Sequence, residues 1–213
     1  MCSVLAEYFW YNYTRKNDFI WLSFLWPYYY YICYYYFING IIKKRHLYYY
    51  FYAILFCIYL NYLIKHAFFP IFILQDELSI ILMYFVNLNV LKMSSYTFYQ
   101  IIGNILLMLP LGILLAFITD FNYRERIFWS ITTSVSVEFV QLLIIIVFHP
   151  INIFFDINDI ILNLIGGVLG NIFFYLFCKV YVKIPNIKSQ NSFIAYFSQI
   201  CANCANNKRS FSE

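Results

Sequence analysis

FDINDIILNLIGGVLGNIFFYLFCKVYV, residues 155–182, decides how this chain is read. From Ile160 to Val182 it carries one charge, Lys179, in an otherwise apolar run. That run is long enough to cross the roughly 30 Å hydrocarbon core of a bilayer, which takes about 20 helical residues. Asp156 and Asp159 stand at its head, and Asn163, Gly166, Gly167 and Gly170 follow at steps of three and four. On a helix those steps form one stripe, running from acid through amide to small residues. Small residues at this spacing let neighbouring backbones approach closely, so the stripe predicts a seam with other helices.

Reading outward, the preceding apolar run, 127–148, contains Glu138 and Gln141, with Ser134 four residues before the glutamate. The three share one helical face. The run before it, 101–119, contains Asn104, Pro110 and Gly112, and the proline predicts a kink. Two further runs, 19–42 and 47–64, end in Lys43, Lys44, Arg45 and His46 and in Lys65 and His66. Residues 68–99 are mixed and read as a long connection with an interfacial or re-entrant helix over 78–85. Beyond 182 comes a tail rich in Asn, Ser and Lys, in which 193–200 suits the membrane surface. The predicted fold is all-α, a polytopic membrane helix bundle with about five transmembrane helices. It divides into an N-terminal region of two spans (1–86), a core of three spans (87–182) and a polar cytoplasmic tail (183–213).

Composition agrees. The 213 residues are 63% hydrophobic and 11% charged, with mean hydropathy +0.69. A water-soluble domain carries about 25% charged residues, and a disordered chain needs low hydrophobicity, so both classes are excluded. The net charge of +4 is too scattered for nucleic-acid binding. The 24 Phe and 23 Tyr suit packing between apolar helices and the membrane interface. Six cysteines, mostly in apolar runs, do not form a disulfide framework, and Cys201 and Cys204 make a CxxC without a second pair or histidines. The sequence leaves open the cofactor and whether Asp156 and Asp159 bind a cation such as Mg²⁺, and nothing at the N-terminus reads as a signal peptide. With five spans, ten Lys and Arg fall on one side and four on the other. The positive-inside rule then puts the C-terminus in the cytoplasm and the N-terminus outside the cell membrane, although Arg15 and Lys16 pull the other way.

Ionisable groups inside a bilayer cost roughly 2.5–3.5 kcal/mol at a helix centre and persist where they are paired or used. On this topology Asn104, Gln141, Asp159 and Asn163 lie in the outer half and Glu138 nearer the middle. Together with Asp156 they are the candidate ligand-binding residues, converging on a pocket open to the outside. Glu138 and Asp159 are the candidate catalytic groups. Interhelical hydrogen bonding, worth about 0.6 kcal/mol per contact, is the competing role of the amides.

GNILLMLPLG (103–112), SVSVEFVQ (134–141) and FDINDIILNLIGGVLG (155–170), in this order on three consecutive spans, resemble the VanZ-like family of bacterial membrane proteins. The resemblance covers roughly 87–182, with Asn87 a faint echo of the family's preceding loop. It carries over onto Asn104, Pro110, Gly112, Ser134, Glu138, Gln141, Asp156, Asp159, Asn163, Gly166 and Gly170. Three positions depart: Ile153 stands where the family usually has Arg, Leu164 where Thr is frequent and Met108 where Phe is common. The missing Arg is the natural partner of Asp156 or Glu138, which puts in doubt any activity that needs an anion-binding Arg.

The resemblance implies a multi-span protein of the bacterial cell envelope, associated through the family's namesake with resistance to the glycopeptide antibiotic teicoplanin. Two roles are open. One is binding of an amphiphilic ligand, a lipid-linked cell-wall precursor or a lipophilic antibiotic, in the outer leaflet. The other is an intramembrane enzyme acting on an envelope lipid or lipid-linked glycan, with Glu138 or Asp159 as acid/base or metal ligand. No Ser–His pair, HExxH or phosphate-binding Gly loop is present to support the second. Transport is less favoured, since the spans show no internal repeat. The small-residue seam suits a homo-oligomer as well as neighbouring helices.

Overall fold

A computed structural model describes residues 27, 29–69, 86–90, 97–148, 150, 153–184 and 192–208. They form α1 (29–42), α2 (Leu47–Phe68), β1 (Val86–Asn87), α3 (Phe98–Ile118), α4 (Tyr123–Phe148), β2 (Phe155–Asp156), α5 (Ile157–Tyr181) and α6 (Ser192–Ala205). The helices α2, α3, α4 and α5 are each long and apolar enough to cross a membrane. The fold is therefore an all-α membrane bundle. Helix α1 is the described part of the expected first span; the start of that span and the expected helix over 78–85 lie outside the described residues.

Three of the helices begin three or four residues before the apolar runs predict, because polar caps start them. Thr97 and Gln100 form a capping box at α3, with Gln100 Oε1 accepting from Thr97 N at 2.8 Å. Asn122 and Glu125 exchange the same pair of bonds at α4. Asp156 caps α5, its Oδ1 accepting from Asn158 N at 2.8 Å. Hydropathy registers the hydrocarbon stretch, whereas the cap registers where backbone N–H groups first need acceptors.

Burial is inverted relative to a soluble bundle. Along α4, Arg126, Ser130, Ser134 and Glu138 recur at steps of four and are all buried, while Phe128, Val135, Phe139, Ile146 and Val147 are exposed. Along α5, Asn163, Gly167 and Asn171 are buried and Phe173, Leu176, Phe177 and Val180 are exposed. In lipid the apolar side chains need no shelter from their solvent, whereas polar groups must find partners inside the bundle.

The α3–α5 seam is the closest approach. A Cβ added at Gly166 would lie 2.2 Å from Ile105 O, and one at Gly170 would lie 2.1 Å from Leu109 O. From the other side, a Cβ at Gly112 would lie 2.4 Å from Gly167 O. The seam thus exists because glycines stand on both faces. Pro110 lies inside α3 beside it without ending the helix, and in this stretch the Tyr59 hydroxyl of α2 donates to Leu107 O at 3.0 Å.

At one end of the bundle β1 and β2 pair in parallel, Val86 with Phe155 and Asn87 with Asp156. At the other end Asp120, between α3 and α4, joins Lys43 at 2.5 Å and Arg45 in the α1–α2 turn. Burial alone would raise the Asp120 pKa, but the hydrogen bonds and charges of Lys43 and Arg45 outweigh it and hold the carboxyl below its ordinary value.

The tail beyond 182 holds more than a polar extension. Helix α6 docks on α3 and α5, burying Tyr196, Ile200, Cys201 and Cys204. The Tyr196 hydroxyl donates to Phe117 O at 3.1 Å, and the Tyr52 ring stacks on Phe117 with centroids 4.0 Å apart. Arg126, one residue ahead of the apolar run 127–148, is fully buried in the first turn of α4 and donates to Cys204 Sγ at 3.1 Å. The contact with Cys178 and burial push the Cys204 thiol up, which keeps it protonated.

Candidate functional site

The cap that starts α5 leaves Asp159 in its first turn, and the glycine seam brings that turn against the start of α3. Asn104 Nδ2 donates to Asp159 Oδ1 at 2.5 Å across the join. Charge-assisted bonds of this kind are short and roughly twice as strong as neutral ones. Four residues on, Asn163 Nδ2 donates to Glu138 Oε1 at 3.2 Å, tying α5 to α4. Gln141, one turn beyond Glu138, donates through Nε2 to Ala67 O of α2 at 2.8 Å. Four helices are thus held together by three amide bonds near one end of the bundle.

Between them lies a cavity of about 340 Å³. Its polar lining is His66, Gln100, Asn104, Gln141 and Asp159, and its apolar lining includes Phe68, Ile153 and Phe154. Exposed Ile102, Leu106 and Phe154 flank these residues on the outer surface of the bundle. A polar cavity with apolar flanks suits a ligand with a polar head and a hydrocarbon body.

The predicted residues divide into three groups. Asn104, Gln141 and Asp159 line the cavity. Glu138 and Asn163, each 2% exposed, stand behind it and are not part of its wall. Asp156 is outside the cavity lining; besides capping α5 it accepts from Asn87 Nδ2 at 2.7 Å, joining the strand pair to the helix. Ser134 is buried, and its hydroxyl donates to Ser130 O within α4.

Glu138 Oε2 and Asn163 Oδ1 are buried and have no hydrogen-bond donor among the described side chains. Both are acceptors when the carboxyl is ionised, and a protonated carboxyl carries the donor the pair lacks. Among the described residues no three His, Cys, Asp or Glu side chains converge as a metal site.

Residues absent from the sequence reading complete the picture. Asn171 Nδ2 donates to Ser130 Oγ at 3.1 Å and to Gly167 O at 2.9 Å, a second polar tie between α4 and α5. The four-residue step from Asn163 through Gly167 to Asn171 carries the signal for it. His66 and Gln100 reach the cavity from a helix end and a helix start, where no periodic pattern marks them.

Fold and site define a multi-pass membrane protein with a polar cavity walled by four helices. The chain belongs to the VanZ/LLP1 family, whose match covers residues 51–178. That stretch begins inside α2, so it includes the helix that supplies His66 and Ala67 to the site. No curated protein and no solved structure matches the chain.

Proposed function

We propose that the chain binds an amphiphilic ligand of the bacterial envelope, a lipid-linked cell-wall precursor or a lipophilic glycopeptide such as teicoplanin, with the polar head in the cavity at Asn104, Gln141 and Asp159. The carrying observation is the polar cavity of about 340 Å³ beside exposed apolar side chains. This volume is at the low end for ligand pockets, about 300–1,000 Å³, so it suits a headgroup and leaves the hydrocarbon in lipid. On the positive-inside reading the cavity opens to the outer leaflet, the C-terminus is cytoplasmic and the N-terminus is outside.

A photoreactive lipid-linked precursor offered to membranes containing the full chain tests this. Labelling should map to residues around the cavity, compete with unlabelled precursor and fall by at least about thirtyfold in Asp159→Asn combined with Gln141→Ala, the low end for the loss of one charged and one neutral hydrogen bond. Labelling that is indifferent to both changes overturns the reading.

One observation favours a second reading, an intramembrane enzyme acting on an envelope lipid. Glu138 is a buried carboxyl with one oxygen lacking a donor, and it accepts from Asn163, one turn along α5 from the Asp159 that faces the cavity. In that role Asp159 touches the substrate and Glu138 holds or passes a proton. Glu138→Gln should abolish turnover of a lipid-linked substrate while leaving photolabelling intact. Unaltered turnover excludes the proton role.

A further inference from the structure

At the opposite end of the bundle from the cavity, a notch of about 440 Å³ lies between the α1–α2 turn and α6. Lys43, Lys44, Arg45 and His46 line one side, and Ser192 and Gln199 of α6 line the other. We propose that this notch binds a phosphate-ester anion, supplied in the membrane by the headgroup of an anionic phospholipid.

The charge balance is the first ground. Three cations line the notch, and the carboxylate that meets them, Asp120, is shared by Lys43 and Arg45. The turn therefore keeps two positive charges in excess. Lys44 is exposed and has no carboxylate partner among the described residues. It also sits at φ 48°, a left-handed conformation that Gly and Asn adopt more readily. The backbone there holds a lysine at a place that favours other residues.

The second ground is the surroundings. Helices α2 and α6 both begin at this notch and α1 ends beside Lys43, so two positive dipole ends and one negative end border it, leaving one positive end in excess. Ser192 and Gln199 add neutral hydrogen-bond donors. The His46 ring lies beside those of Tyr48 and Tyr196, with centroids 5.0 and 5.9 Å away, forming an aromatic wall of the kind found at membrane interfaces. Exposed Leu47 and Phe51 continue along α2 from the notch, with Phe193 of α6 against Phe51. Those side chains offer an acyl chain a path that a free phosphate ion would not use. The inference is independent of the cavity at the other end.

Native mass spectrometry of the full chain in neutral detergent, titrated with phosphatidylglycerol, phosphatidylcholine or inorganic phosphate, tests it. Phosphatidylglycerol should bind in preference to phosphatidylcholine. Lys44→Asn, which suits the left-handed backbone, should weaken it about fivefold, the effect of one cation beside an anionic headgroup. The melting temperature without lipid should not change. Lys183→Gln, a basic position at the same end but outside the notch, should leave binding unchanged. Inorganic phosphate binding with the same Lys44 dependence would support the anion site and assign its ligand to solution. Equal binding of the two lipids, or equal losses from Lys44→Asn and Lys183→Gln, overturns the proposal.

Discussion

Replacing Gly170 by Ala puts a methyl group where the structure leaves no room. The added Cβ would stand 2.1 Å from Leu109 O, and at Gly166 the corresponding distance to Ile105 O is 2.2 Å. To reach even 3.0 Å the helices must part by about 1 Å, because a backbone carbonyl has no rotamer by which to escape. A gap of that size forfeits about a quarter to a half of each dispersion contact along the seam. We expect Gly166→Ala and Gly170→Ala each to cost about 2–3 kcal/mol, the upper part of the range for overpacked interiors.

The seam holds its own control. A Cβ at Gly103 meets nothing within 4 Å, so Gly103→Ala should be neutral or stabilise by up to about 1 kcal/mol through higher helix propensity. The site should follow the seam, since Asn104 and Asp159 bond across the same two helices. Reversible unfolding of the purified chain by detergent titration gives the stabilities, and photolabelling at the cavity gives the site. Gly170→Ala as stable as wild type, or Gly103→Ala equally damaging, would refute the close-packed seam.

The Asp120 pairing predicts a pH dependence. Its folded carboxyl titrates below the ordinary value, so the stabilisation is complete above the unfolded pKa, near 3.8, and is lost as pH falls through the lower folded value. Asp120→Asn should remove about 1 kcal/mol or less near neutral pH, because the pair is partly exposed, and flatten thermal stability between about pH 5 and 3. Ser130→Ala and Asn171→Ala should be non-additive, with a coupling of about 0.6 kcal/mol in a double-mutant cycle. Glu138→Gln should be at least as stable as wild type, since its amide supplies the donor that Glu138 Oε2 and Asn163 Oδ1 lack, whereas Glu138→Ala should melt lower. Cys178, Cys201 and Cys204 should stay unreactive to a charged maleimide until the chain is unfolded.

Much of the bundle was legible because lipid imposes one simple demand, a run of about 20 apolar residues for each helix. The predicted run 160–182 corresponds to Ile157–Tyr181 and the run 127–148 to Tyr123–Phe148. The ends shifted where Thr97, Asn122 and Asp156 supply caps, a local hydrogen-bonding matter to which hydropathy is blind. Of the site, Asn104, Gln141 and Asp159 were readable as polar residues in an expensive place, and the glycine steps announced the seam that joins two of them. His66 and Gln100 were not, because they reach the cavity through the meeting of α2 and α3, and no local pattern encodes that contact. The docking of α6 was hidden for a related reason: Cys201 and Cys204 find Arg126 and Cys178 only after the bundle has formed.

Ligand binding as proposed requires an open cavity at Asn104 and Asp159, with Glu138 closed behind it. Single cysteines at positions 104, 138 and 159 can be placed in a chain carrying Cys2→Ala and Cys33→Ala, since Cys57, Cys178, Cys201 and Cys204 are buried. A membrane-impermeant thiol reagent is then applied to intact cells. We predict labelling of Asn104→Cys and Asp159→Cys, blocked by a lipid-linked precursor, and none of Glu138→Cys. Silence at 104 and 159 would contradict the account and leave these polar residues as closed contacts between helices.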